Sequence, residues 1–146
     1  MSYLTSDPID FPSLLDSVQS PERGGVAAFL GIVRDHHQAR AVLRLEYCAY
    51  VPMAEAECAR IVAETESRWP VCVALRHRFG ALAIGDTALV AVTGSAHREA
   101  AFSACRYLVE EVKRRVPIWK QEFYSDGSIE WVDPTAAVRP VTVESA

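Results

Sequence analysis

The chain has 146 residues, 50% of them hydrophobic and 23% charged, with a net charge of -4 at pH 7. That length suits a single domain with its own core, and the acidic balance argues against a general nucleic-acid binder. No apolar run is long enough to cross a bilayer. The opening Met1-Ser2-Tyr3-Leu4-Thr5-Ser6-Asp7 has neither the basic nor the apolar region of a signal peptide, so a cytoplasmic location is expected.

A first strand is possible near Leu4. Asp10 to Val18 predicts a short helix, with Pro12 in its first turn and Leu14, Leu15 and Val18 on one face. Ser20 to Gly25 reads as a loop. Val26 to Val33 is apolar at both parities, the pattern of a strand covered on both faces. It stops at a polar, positively charged loop, Arg34 to Arg40. From Val42 the residues alternate, with Leu43, Leu45 and Tyr47 opposite Arg44, Glu46 and Cys48, as in a half-buried strand.

Pro52 opens a long helix whose apolar positions are Ala54, Cys58, Ile61, Val62, Thr65 and Trp69. Arg60, Glu64 and Arg68 would form an i,i+4 charged ladder outside it, and Pro70 stops it. Val71, Val73 and Leu75 begin another strand. Gly85-Asp86 turns the chain into Thr87 to Thr93, again apolar on both faces. Ser95 is placed to cap a second long helix with the stripe Ala101, Cys105, Leu108, Val109, Val112 and Val116, ended by Pro117. Ile118 to Tyr124 and Ser128 to Val132 read as a hairpin around Ser125-Asp126-Gly127.

Residues 1–132 thus form one expected domain, and 133–146 a C-terminal tail. Neighbouring strands without intervening helices indicate an α+β fold, with the two long helices packed on one sheet. Cys48, Cys58, Cys72 and Cys105 contain no CxxC and sit in apolar segments, so buried thiols are expected rather than disulfides or metal ligands.

Three stretches put basic residues at the ends of regular elements, where sites are usually built: Arg34 with His36 and His37; Ser95-Ala96-His97-Arg98; and Lys113 to Lys120. A helix N-terminus beside His97 and Arg98 suits an anion such as a phosphate. Singly, each has a plain structural reading, since a capped helix with a surface Arg is common and a Lys in a last turn offsets the helix dipole. Lys113 follows Val109 by four residues, on the border of the apolar stripe, where partial desolvation lowers a lysine pKa. Lys120 follows Trp119 in a strand. If Trp119 is core, Lys120 faces outward or into a cleft. The histidines lack metal-ligand spacing, and there is no P-loop, GxGxxG or nucleophile elbow.

Taken together, in order and at matching spacing, these blocks resemble the molybdopterin synthase catalytic (large) subunit family. The match runs from about Gly24 to Val132. It includes Phe29-Leu30-Gly31-Ile32-Val33-Arg34-Asp35-His36, Leu45-Glu46-Tyr47, Arg76-His77-Arg78-Phe79-Gly80, Ser95-Ala96-His97-Arg98 and Lys113-Arg114-Arg115-Val116-Pro117-Ile118-Trp119-Lys120-Gln121-Glu122.

The resemblance implies a hammerhead-type mixed sheet and a sulfurtransferase of molybdenum cofactor biosynthesis. It also implies a homodimer that joins a small ubiquitin-like sulfur-carrier subunit to make a heterotetramer. The carrier's C-terminal thiocarboxylate would give its sulfur to cyclic pyranopterin monophosphate, with no metal or organic cofactor. The family's active-site lysines match Lys113 and Lys120, and its substrate-binding residues match Arg34, His97 and Arg98. Ile32, Val33, Gln121 and Glu122 flank those positions and would line the pocket.

His37 and Ala39 stand where the family usually has Asn and Gly, and Cys48 where an acidic residue is common. The competing reading is a non-catalytic module that only binds a ubiquitin-like carrier. The joint presence of Lys113, Lys120, Arg34, His97 and Arg98 speaks against it.

Overall fold

A computed structural model describes residues 2–132; the expected tail at 133–146 lies outside the described residues. The elements run β1 (Leu4–Thr5), α1 (Phe11–Ser17), β2 (Gly25–Ile32), β3 (His36–His37), β4 (Arg40–Ala49) and α2 (Val51–Arg68). They continue with β5 (Val71–Arg78), β6 (Gly80–Ala83), β7 (Thr87–Ser95), α3 (Arg98–Arg115), β8 (Ile118–Tyr124) and β9 (Ile129–Val132). The class is mixed α+β, but with two sheets rather than one. The first has the order β1-β5-β7-β2; the second has the order β3-β4-β8-β9, with β6 also paired to β4. Among the described residues, no helix is long and apolar enough to cross a membrane.

Both long helices pack on one face of the first sheet. Ala54, Cys58, Ile61 and Val62 of α2 and Leu108, Val109 and Val112 of α3 close over Leu75, Leu89 and Ala91. On the other face, Leu14 and Val18 meet Ala74, Val90 and Val92. Strand β7 is therefore covered on both sides, as its apolar parity predicts. Where the sheets meet, Val33, Leu45, Leu82 and Ala88 form a smaller core. The prolines act as expected: Pro52 sits in the first turn of α2, and Trp69 and Val116 leave α2 and α3 in extended conformations just before Pro70 and Pro117.

Several expectations are corrected. Strand β2 is not covered on both faces: it pairs only with β7, at the sheet edge, and Val26, Phe29 and Ile32 are 38%, 37% and 47% exposed. Ser95 does not cap α3. It ends β7, and its hydroxyl donates to the Pro70 carbonyl at 2.9 Å, while His97 occupies the cap position without a side-chain bond. Leu43 turns out to solvent because the β4–β8 register shifts between Val42 and Arg44, moving it off the buried face.

The α2 ladder gives way to bonds across to α3 and to one shorter pair within α2. Glu64 pairs with Arg115 and accepts from Tyr107, Arg60 turns to Glu57, and Arg68 stacks on Tyr107. Strand β6 is an additional element, separated from β5 by Phe79 and entered at Gly80, whose φ is 98°. The cysteines are all free, but Cys48 is exposed rather than buried.

Candidate active site

Residues from five segments converge at the junction of the two sheets. Arg34 follows the end of β2, His77 lies near the end of β5, and Lys113 is in the last turn of α3. Tyr47 and Lys120 are direct cross-strand partners on β4 and β8, so they share a face. A cleft of about 340 Å³ is lined by these five together with Phe29, Ile32 and Leu89, among others. A recess beside it adds Val33 and Glu122, and another runs from Tyr47 and His77 to Lys113.

The cleft holds an excess of positive charge. Lys113 is exposed, yet it lines a recess together with Tyr47, His77 and Ile118. Its pKa is lowered, chiefly by desolvation and then by the charges of Lys120 and Arg34. Among the described residues, no carboxylate forms an ion pair with it.

Lys120 instead has Glu122 Oε2 at 3.1 Å. Glu122 is itself almost wholly buried. Desolvation pushes its pKa up, but hydrogen bonds from Tyr124, His37 and Lys120 outweigh that and hold it below the usual value.

Two more groups in the wall, His77 and Tyr47, lie outside the expected site residues. His77 is 8% exposed, and its Nδ1 lies 2.9 Å from the Arg78 carbonyl, to which it donates. The other ring nitrogen is then an unprotonated acceptor. Desolvation, aided by Lys113, lowers its pKa to about 4, so the ring is neutral near pH 7. Tyr47 meets it edge-on, with ring centroids 5.2 Å apart, and burial raises its phenol to about 12. His77 shares the parity of Val73 and Leu75, and a histidine continuing an inward apolar row was the available signal.

The remaining expected residues separate. Ile32, Val33 and Glu122 line the cleft or its recess. Gln121 pairs with Glu46 and Trp131, on the sheet face opposite Lys120. Trp119 also faces outward, which leaves Lys120 pointing into the cleft. His97 and Arg98 lie beyond Ser95, which pairs with Gly25, whereas Arg34 follows Ile32 at the far end of β2. At about 3.3 Å per residue, the eight residues of β2 put more than roughly 20 Å between the two groups.

Comparison with known proteins matches residues 4–115 to the MoaE protein family. The molybdopterin synthase catalytic subunit 1 of Mycobacterium tuberculosis is 44% identical over 130 residues, covering 88% of each chain. The catalytic subunit of Bacillus subtilis is 40% identical over 88% of this chain and 82% of its own. Among solved structures, molybdopterin synthase from Staphylococcus aureus superposes with a TM-score of 0.84 at 34% identity, covering 89% of this chain and 95% of that one. A complex of subunits 1 and 2 of the molybdopterin-converting factor from Helicobacter pylori shares the fold, with a TM-score of 0.71 at 19% identity over 89% of this chain and 87% of that one.

Proposed function

The chain belongs to the MoaE family of molybdopterin synthase catalytic subunits, sulfur-transferring enzymes of molybdopterin biosynthesis, and from that premise we propose how its cleft works. The cleft receives the thiocarboxylated C-terminal tail of a small carrier subunit together with cyclic pyranopterin monophosphate. The observation that carries this reading is the convergence of Lys113, Lys120 and Arg34 in one cleft of an otherwise acidic chain. Both reactants are anions. An extended tail can gain affinity from main-chain hydrogen bonds, and its terminus from cations.

Once the thiocarboxylate sulfur has bonded to the pterin, water attacks the acyl carbon and the acyl–sulfur bond breaks. This releases the carrier as a carboxylate and leaves the sulfur on the pterin; negative charge grows on the carbonyl oxygen and on sulfur as it does so. Fixed ammonium groups in a partly dry cleft stabilise that charge more than water does. Lys113, disfavoured as a cation by its surroundings, is suited to exchange a proton with the reacting pterin. The protonated Tyr47 can donate a hydrogen bond from the wall, and neutral His77 can accept one.

His97 and Arg98 enter the same site through a second copy of the chain. The open edge of β2 carries Val26 and Phe29, and a shallow apolar groove of about 540 Å³ runs beside it to Phe102 and Val109 of α3. An unpaired apolar edge invites another strand. A two-fold axis pairing β2 with its copy runs the strands antiparallel, bringing the partner's His97 and the partner's Arg98 toward Arg34. The phosphate then binds across the interface. Supporting analogy for the small subunit comes from the Helicobacter pylori complex, which joins two kinds of subunit.

The deciding experiment is incubation of the chain with a thiocarboxylated carrier and the cyclic precursor, followed by detection of molybdopterin. Product formed by the wild type and lost on removing the carrier's last two residues supports the reading. Product formed equally well with the truncated carrier overturns it.

A further inference from the structure

Glu122 is an acidic side chain only 2% exposed, on the sheet face that carries Lys120. A carboxylate in that position is tolerated only when hydrogen bonds and opposite charge offset its lost hydration. Its two oxygens are used differently. Oε1 accepts from the Tyr124 hydroxyl at 2.5 Å and from His37 Nδ1 at 2.6 Å. Oε2 faces Lys120 Nζ at 3.1 Å.

The two donors on Oε1 are themselves held. The Arg40 guanidinium lies 3.6 Å from the centre of the Tyr124 ring and is paired with Glu130 at 2.7 Å. His37 sits opposite Arg40 across a two-residue turn, Gln38-Ala39, in which both residues have positive φ. Such a turn leaves the strand beside it little freedom to move His37 away. Lys113, across the cleft, has no equivalent tether among the described residues.

We infer that His37 is a positioning residue for Lys120, acting through Glu122: its ring N–H occupies Oε1 and leaves Oε2 to hold the Lys120 ammonium in the cleft. The inference rests on the reading of Lys120 as an active-site cation given above. With Lys120 tethered as a fixed cation, proton exchange falls to Lys113. A bond that merely fastened the β3–β4 hairpin would affect folding and leave the state of Lys120 untouched.

The test uses the full chain with 15N-labelled lysine. An ammonium held by a carboxylate exchanges its protons slowly enough for its 15N signal to be followed. The Lys120 signal, assigned by its loss in Lys120→Arg, is expected in the wild type. It should vanish in His37→Phe, which has similar volume but no donor, and persist in His37→Asn, whose amide reaches the place of Nδ1. In turnover assays, His37→Phe should lower kcat by about fivefold or more with the precursor KM nearly unchanged, while His37→Asn stays within about twofold of wild type.

An unaltered Lys120 signal and kcat in His37→Phe would overturn the inference, as would losses that track the melting temperature and are not restored by His37→Asn. Failure of the underlying reading looks different: full turnover by Lys120→Ala would remove Lys120 from the chemistry, whatever the ammonium signal does.

Discussion

Gln38 and Ala39 hold φ values of 51° and 65°, in the left-handed region where a Cβ crowds the following carbonyl. The turn they form suits Asn-Gly, and Ala39 takes the place of the glycine. Ala39→Gly should therefore raise stability by about 1 kcal/mol, even though glycine makes the unfolded chain more flexible. Urea unfolding at neutral pH checks this, and a destabilised variant would refute it.

His77 makes a prediction of a different kind. Its folded pKa of about 4 lies below its ordinary 6.5, so the unfolded chain binds the proton first as pH falls. Stability is then intact above about pH 6.5 and declines toward pH 4, by on the order of 3 kcal/mol. His77→Asn should flatten unfolding free energy across that window; an unchanged slope would assign the loss to other groups. At Lys113 and Lys120, which stand at the cleft rim with the helix stripe carried by other residues, substitution by Ala should cost turnover about a hundredfold or more. The melting temperature of Lys113→Ala should stay within a few degrees, while Lys120→Ala, which leaves the buried Glu122 without its cation, should melt lower. Near-normal turnover of either variant removes that lysine from the mechanism.

Helices α2 and α3 are joined by more than their apolar faces. Arg115 bonds to Glu57 at 2.7 Å, to Glu64 at 2.7 Å and to Glu111 at 3.2 Å, reaching back across the seam from the end of α3. Glu64 is drawn down to about 2, first by Arg115 and then by the Tyr107 hydroxyl. Glu57 is lowered as well, most by Arg60 and then by Arg115. These carboxylates contribute stability above their ordinary pKa of 4.5, and that stability is lost as pH falls from there toward 2. Because the Glu64 side chain is 39% exposed, screening reduces its share. Arg115→Met should lower the melting temperature at pH 7 and shrink the difference between pH 5 and pH 2.5. An unchanged acid limb would show that the seam depends on apolar contact alone.

At the scale of the whole molecule, the proposed pairing of two β2 edges predicts a dimer. Light scattering should report roughly twice 16.1 kDa for the isolated chain. Val26→Glu on that edge, outside the lysine cleft, should yield monomers that keep the cleft but lose turnover, because the two cationic groups then remain at opposite ends of β2. A sharper test mixes Lys113→Ala chains with Arg98→Ala chains after co-refolding. Each mixed dimer has one intact composite site, so random pairing restores roughly a quarter of wild-type turnover. No restoration, with dimers present, would mean that Arg98 does not act across the interface.

Elements whose character comes from near neighbours were legible in the chain itself. The stripes of α2 and α3 follow from 3.6-residue periodicity, and their ends from Pro52, Pro70 and Pro117, because proline acts on the backbone beside it. The family blocks were legible too, including the lysines, since side-chain identity and spacing survive without knowledge of contacts. Tertiary structure alone decided what those patterns face. Strands β2 and β7 are both apolar at either parity, yet β7 is buried by its own helices and β2 lies open at an edge. A local pattern records that a strand is apolar on both faces, not what lies against either face. The pairing of Lys120 with Tyr47 depends on a register between β4 and β8 set some 70 residues apart in sequence. The place of Lys113 beside them depends on the packing of α3 against the first sheet. Glu64 likewise left the expected ladder because Arg115 and Tyr107, remote in sequence, came closer than the residues of its own helix face. Short-range sterics and periodicity shaped the elements; long-range strand pairing and helix packing made the cleft.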